Sequence, residues 1–300
     1  MEKTNIEASA EDVSSQIGEN DSIFDRLRHM THKNPLATIS AVLILIFILA
    51  AICAPILTPY SYEAQDMLNR AAAPSREHLL GTDELGRDVL TRLLYGARVS
   101  LAIGIVPTIV SMILGAVLGM ISGFFGGIVD TFIMRFADIM LAFPSLLLAM
   151  VIMYTLGDGI TSIFVALAIV NWASVARVVR AETLSLKESE YIEAARSIGV
   201  FKLTIIFRHI LPNCIPSLIV LFTLNIPSAI LAESSLSFLG IGVQPPASSW
   251  GVMANAGSQF LYTAPLMSLA PSIAIMIVVL AFNFLGDGLR DTLDPHLKNM

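Results

Sequence analysis

Long apolar runs separated by short polar stretches organise this chain. Leu36 to Leu57 is 22 residues without a charged side chain. About 20 apolar residues cross a bilayer core about 30 Å thick. Further runs cover 99–123, 132–156, 160–180, 214–235 and 265–285. The pattern therefore predicts six membrane helices in an all-α, polytopic chain. Gly157-Asp158-Gly159 leaves only a tight turn between the third and fourth. The first run starts too late and is too long for a signal peptide, and no small-residue cleavage site follows it. It is expected to remain as an anchor.

The polar stretches set the remaining organisation. Residues 1–22 are acidic, Ser-rich and free of aromatics, which predicts a disordered leader. Ile23, Phe24, Leu27 and Met30 fall on one face at helical spacing, so 23–35 reads as a short interfacial helix, with a plain polar linker as the alternative. Residues 58–98 form a long loop, 99–285 a five-helix core, 181–213 a charged loop within that core, and 286–300 a tail. The first 35 residues, segment 174–213 and the tail carry twelve Lys and Arg. Six spans place these regions on one side, and the positive-inside rule makes it cytoplasmic, N- and C-termini included. Five Arg (Arg70, Arg76, Arg87, Arg92, Arg98) then fall outside, against that trend.

Composition agrees with a membrane protein. Apolar residues make up 55% of the 300 and charged residues 14%, against about 25% charged in soluble domains. The net charge is −6 with no basic block, which argues against a nucleic-acid partner. Cys53 and Cys214 lie beside apolar runs and read as buried small hydrophobes.

Catalytic patterns are missing from the sequence. No Gly-x-x-x-x-Gly-Lys-Ser/Thr phosphate loop occurs, and no Lys follows a Gly, so ATP hydrolysis of the P-loop kind would need another subunit. There is no His-Glu-x-x-His, and all five His lie outside the predicted spans. The chain reads as a non-enzyme with no cofactor. Gly115, Gly119, Ser122 and Gly123 recur at three- and four-residue steps, the small-residue spacing that lets membrane helices approach. Arg135 and Asp138 share a helix face and can pair or snorkel. Glu233 reads as a helix-contact or outer-interface acid, with a substrate-path role as the other reading. Asp287, Asp291 and Asp294 share a face but read as solvated acids around Arg290 rather than a metal cluster.

Within 181–213, Tyr191 to Ile198 has good helix formers and ends at Gly199, which suits a left-handed helix stop. Ile192, Ala195 and Ile198 predict one apolar stripe, while Ala194 and Ala195 allow close backbone approach. A second short helix, Lys202 to Leu211, is expected to end at Pro212. Two short helices held at the membrane surface between spans can transmit a push into the membrane. A solvated connecting loop is the plainer reading of the same residues.

Glu193-Ala194-Ala195-x-x-x-Gly199, then eleven residues, then Leu211-Pro212, resembles the "EAA" motif of permease subunits of bacterial ABC importers. The family pattern has Ile two residues before that Leu, where this chain has His209. Arg208-His209-Ile210-Leu211-Pro212-Asn213 is similar to the form in peptide-importer permeases. Three further blocks resemble "C"-type dipeptide/oligopeptide permeases: His78 to Leu90 with Tyr95 to Leu101; Phe238 to Gly242 with Gln244-Pro245-Pro246 and Trp250-Gly251; and Asn283 to Asp291 with Leu293-Asp294-Pro295.

The resemblance implies a type I importer permease fold in a bacterial cytoplasmic membrane. It implies a second homologous permease, two ATP-binding subunits and an extracytoplasmic solute-binding protein as partners. Glu193, Ala194, Ala195, Gly199, Leu211 and Pro212 are then expected at the ATPase contact. Asp83, Glu84, Arg87 and Asp88 are candidates for docking the binding protein, or else pair only with each other. The substrate reads as a di- or oligopeptide, with nickel chelates and glutathione open. No path residue can be named. A secondary transporter or channel is the other class. Pro107, Pro144 and Pro227 could kink its helices, but the charged loop would go unexplained.

Overall fold

The computed structural model describes residues 34–293, so the leader, most of the 23–35 segment and Asp294 fall outside it. Among the described residues the fold is helical, without a named strand. α1 (Pro35–Ile52) opens with proline in its first turn, where a missing N–H costs nothing. α2 (Ala54–Leu57) follows, and a looped segment leads to α3 (Val89–Phe125). After α3 come α4 (Gly127–Ala142), α5 (Ser145–Leu156), α6 (Ile160–Lys187), α7 (Glu190–Ser197), α8 (Lys202–Ile205), α9 (Leu211–Phe238), α10 (Trp250–Ser258) and α11 (Leu266–Leu293).

Five helices are long and apolar enough to cross a membrane: α1, α3, α6, the continuous Lys202–Phe238 rod, and α11. Their mean hydropathies run from 1.8 to 2.7. The sixth candidate is α4 with α5, bent by 96°. The expected straight span over 132–156 is therefore broken. Pro144 sits at the bend with φ −56°, and its ring offers no N–H to carry α4 onward. Pro107 and Pro227 lie inside continuous helices. After Pro107, the Thr108 hydroxyl bonds the Gly104 carbonyl at 2.6 Å.

Two boundaries differ from the apolar runs. α3 begins at Val89, ten residues before 99, because the Arg that interrupt the pattern have partners inside the fold. Arg98 donates to the carbonyls of Ala51 and Ile52 at 2.5 and 2.8 Å, closing the end of α1. Arg92 donates to the Ser248 hydroxyl at 3.0 Å. The second difference is that the chain does not break at Pro212. A turn of wider i→i−5 hydrogen bonding, Ile206–Ile210, carries α8 into α9, with Leu211 N–H donating to the Ile206 carbonyl. The extra residue makes room for the Pro212 ring, which would otherwise strike the preceding turn.

α3 and α6 form the centre. Their crossing runs along Gly115, Gly119 and Gly123, as the small-residue spacing predicts. A Cβ on Gly119 would lie 2.5 Å from the Ala176 carbonyl oxygen, and one on Gly123 2.9 Å from that of Arg180. Side chains buried at one end of this crossing include Met120, Phe124 and Val179, and they pack with Ile192, Ile205 and Ile210. Leu36, Ile39, Val42 and Leu49 of α1 are exposed, as a lipid-facing surface requires.

Candidate functional site

α7 is the element that links the ends of the spans. Ile192 is fully buried and Ala195 nearly so, both in the cluster of Phe124, Ile205 and Ile210. Glu193 and Ala194 point the other way and are exposed. The predicted stripe is shorter than expected: Ile198 is 80% exposed. The helix ends at Ser197, so Ile198 has left the helical period before it could join the buried face.

Gly199 ends the helix in the expected manner. Its φ is +79°. Val200 N–H donates to the Ala195 carbonyl at 3.1 Å and Gly199 N–H to that of Arg196 at 3.0 Å, the paired bonds of a Schellman stop. A Cβ on Gly199 would touch nothing, so the demand for glycine is conformational, on the order of 1–2 kcal/mol. Val200 and Leu211 pack against the same cluster as Ala195. Pro212 is exposed, and the Asn213 amide donates to the His209 carbonyl at 2.6 Å. The six motif residues thus divide. Ala195 and Leu211 anchor the loop, while Glu193, Ala194, Gly199 and Pro212 face outward.

Two further ties steady this end. Asp130 on α4 accepts from Arg180 Nε and Nη2 on α6 at 2.5 and 2.6 Å, and from the Ser122 hydroxyl on α3. Such a bidentate pair fixes orientation as well as distance. Asp138 pairs with Arg177 across to α6 at 2.6 Å, not with Arg135 on its own helix. Both pairs join residues distant in sequence, and no local spacing signals them.

The charges proposed for docking at the other end are mostly occupied. Arg87 Nε meets Asp83 Oδ2 at 2.6 Å and its Nη2 meets Glu84 Oε1 at 2.7 Å. Asp83 Oδ1 accepts from the Leu85 and Arg87 backbone at 2.9 Å. Asp88 caps α3 through Thr91 N–H at 2.7 Å and faces His78 Nδ1 at 2.9 Å. Asp83, Arg87 and Asp88 are buried. Asp83, Glu84 and Arg87 thus pair with one another, while Asp88 is engaged by Thr91 and His78, and together they shape the loop. Arg70 is also engaged, donating to the Glu84 carbonyl at 2.7 Å. Four of the five Arg in the 58–98 segment are thus taken up by the protein itself.

α10 completes the outer cap. Trp250 Nε1 donates to the Leu93 carbonyl at 3.0 Å, and its backbone N–H to the Ser100 hydroxyl at 2.9 Å. Glu233 is fully buried and takes the hydroxyls of Ser237 and Ser249 on one oxygen, at 2.6 and 2.5 Å. It binds α9 to the start of α10, which accounts for it as a helix-contact residue. Gly251 permits that contact, since a Cβ there would lie 2.7 Å from Ser234 Cα. No group of three His, Cys, Asp or Glu able to hold a metal occurs among the described residues.

Comparison with known proteins bears on the whole chain. A family model described as "Binding-protein-dependent transport system inner membrane component" matches residues 115–299, and one described as "N-terminal TM domain of oligopeptide transport permease C" matches 23–74. A dipeptide transport system permease protein, DppC of Alkalihalophilus pseudofirmus, is 47% identical over 267 residues, 89% of this chain and 88% of the relative. The glutathione transport system permease proteins GsiD of Salmonella paratyphi A and Pectobacterium atrosepticum are 48% and 45% identical. They cover 87% and 88% of this chain, and the same shares of their own lengths. The chain therefore belongs to the binding-protein-dependent transport system inner membrane components, the permeases of ABC importers.

Proposed function

We propose that this permease forms half of a translocation path for small peptides and is driven by separate ATPase subunits seated on α7. One observation carries the coupling role. α7 is held from within by Ile192 and Ala195 while presenting Glu193 and Ala194 outward, between two membrane-crossing helices. A push on its outer face would pass through Phe124 into α3 and through Ile205 into the Lys202–Phe238 rod. Rigid packing transmits such displacement because close-packed cores compress little.

The remaining parts follow. The α7 end and both chain termini face the cytoplasm of a bacterial cell, and a second permease completes the path. A solute-binding protein docks on the opposite face, on a platform built by the Asp83–Glu84–Arg87–Asp88 knot and α10. Dipeptide and glutathione in the relatives' names point to one substrate class, peptides of two or three residues. The test is reconstitution with the neighbouring permease, ATPase and binding-protein gene products. Vesicles should accumulate labelled dipeptide or glutathione only with ATP and binding protein present. Accumulation without ATP, or down a gradient by this chain alone, would contradict the proposal.

A further inference from the structure

Three cations meet beside α7 without a carboxylate within ion-pair distance among the described residues. Lys187 ends α6, Arg196 lies in the last turn of α7, and Lys202 opens α8. Together with Phe124 and Phe125 they line a cavity of about 380 Å³. The Arg196 guanidinium carbon lies 5.1 Å from the centre of the Phe124 ring, and Lys202 Nζ lies 5.9 Å from that of Phe125. Aromatic faces at this distance hold cations in place but leave their N–H donors free. Asp130, on the nearby α4, is already held by Arg180 and Ser122.

Exposed apolar side chains flank the lining residues along the chain. Phe201 and Leu203, on either side of Lys202, are 85% and 63% exposed, and Phe207 lies one turn on at 61%. Phe125, in the lining, is itself 45% exposed, and Ile128, three residues on, is 89% exposed. Two of the walls are the ends of membrane-crossing helices, α3 and α6. Cations in a cleft at the end of a bundle, bordered by exposed apolar side chains, match an amphiphile rather than a free anion. Basic pockets between membrane helices take anionic headgroups, while adjacent apolar surface takes the acyl chains.

We propose that this cavity binds the phosphate headgroup of an anionic phospholipid. One phosphate has acceptor oxygens enough for all three cations. It would then tie α7 to the ends of α6 and α8, so lipid composition would set how firmly the loop is held. This site does not depend on which solute the permease carries.

The test uses the full chain in nanodiscs of phosphatidylcholine with or without phosphatidylglycerol, and native mass spectrometry to count retained lipid. The chain should retain phosphatidylglycerol over phosphatidylcholine. Lys187→Gln with Arg196→Gln and Lys202→Gln should weaken that retention by about a hundredfold, from about fivefold per cation. Lys187→Arg with Arg196→Lys and Lys202→Arg should keep it. Lys202→Gln alone, at an exposed position, should show about the fivefold loss and covers the case in which the triple variant fails to fold. Excess inorganic phosphate should not displace the lipid. Equal retention of both lipids, or unchanged retention in a folded Gln variant, would overturn the proposal. So would displacement by inorganic phosphate alone. Loss of ATPase-subunit capture with lipid retention intact would assign the cations to a protein contact instead, and would overturn it as well.

Discussion

A Gly119→Val chain is expected to be extracted from membranes largely misfolded. The Cβ alone would stand 2.5 Å from the Ala176 carbonyl oxygen and 3.0 Å from Val179 Cβ. The first neighbour is backbone in the middle of α6 and cannot turn away. Valine adds two methyls to that conflict, so α3 and α6 must separate along the crossing that organises the bundle. Overpacking of close contacts costs about 1–3 kcal/mol when side chains can yield. Here the loss is expected at about 3 kcal/mol or more. Val117, two residues away on the same helix, is exposed, so Val117→Leu should change stability by less than about 0.5 kcal/mol. Monodisperse yield after detergent extraction and thermal unfolding of both variants make the comparison. Wild-type yield and melting for Gly119→Val would show that the α3–α6 contact is not as close as described.

The second large effect concerns Glu193. Glu193→Lys reverses a charge on the exposed face of α7 without disturbing the buried Ile192 and Ala195. The fold should therefore survive, with melting within about 0.5 kcal/mol of wild type. If that face seats in an ATPase groove, a like charge placed against it costs several kcal/mol, on the order of a hundredfold in association. ATP-driven uptake should fall accordingly while the permease stays in the membrane at normal level. Normal uptake would remove Glu193 from the coupling contact.

The helical plan was legible in the sequence because a bilayer leaves few choices. Every predicted run is helical, four within one continuous helix and 36–57 and 132–156 each divided between two, since backbone groups in lipid must be bonded within the segment. What escaped the pattern depended on partners far along the chain. Arg92 and Arg98 looked like the end of an outer loop, yet they lie inside α3 because Ser248 and the α1 carbonyls receive them. Pro144 and Pro212 carry the same local signal. One breaks a span by 96° and the other is absorbed by a widened turn.

The candidate site divides in the same way. Gly199 was readable because its requirement is local, a left-handed backbone at a helix stop. The orientation of Glu193, Ala194 and Ala195 depended on which side of α7 the cluster around Phe124 would cover. Asp83, Glu84 and Arg87 lie within five residues of one another, so their pairing was readable as one of two options, whereas the His78 partner of Asp88 lies ten residues away and was not. Asp130, Arg180 and Ser122 belong to three helices, and only the fold assembles them.

In the proposed coupling, the outward face of α7 meets an ATPase. A photo-crosslinking residue placed at Ala194, in the permease assembled with its partner subunits, tests it most directly. The predicted result is one major crosslink to an ATPase subunit that changes in yield when ATP is added. A crosslink only to this chain, to the second permease or to lipid would take the ATPase contact away from α7.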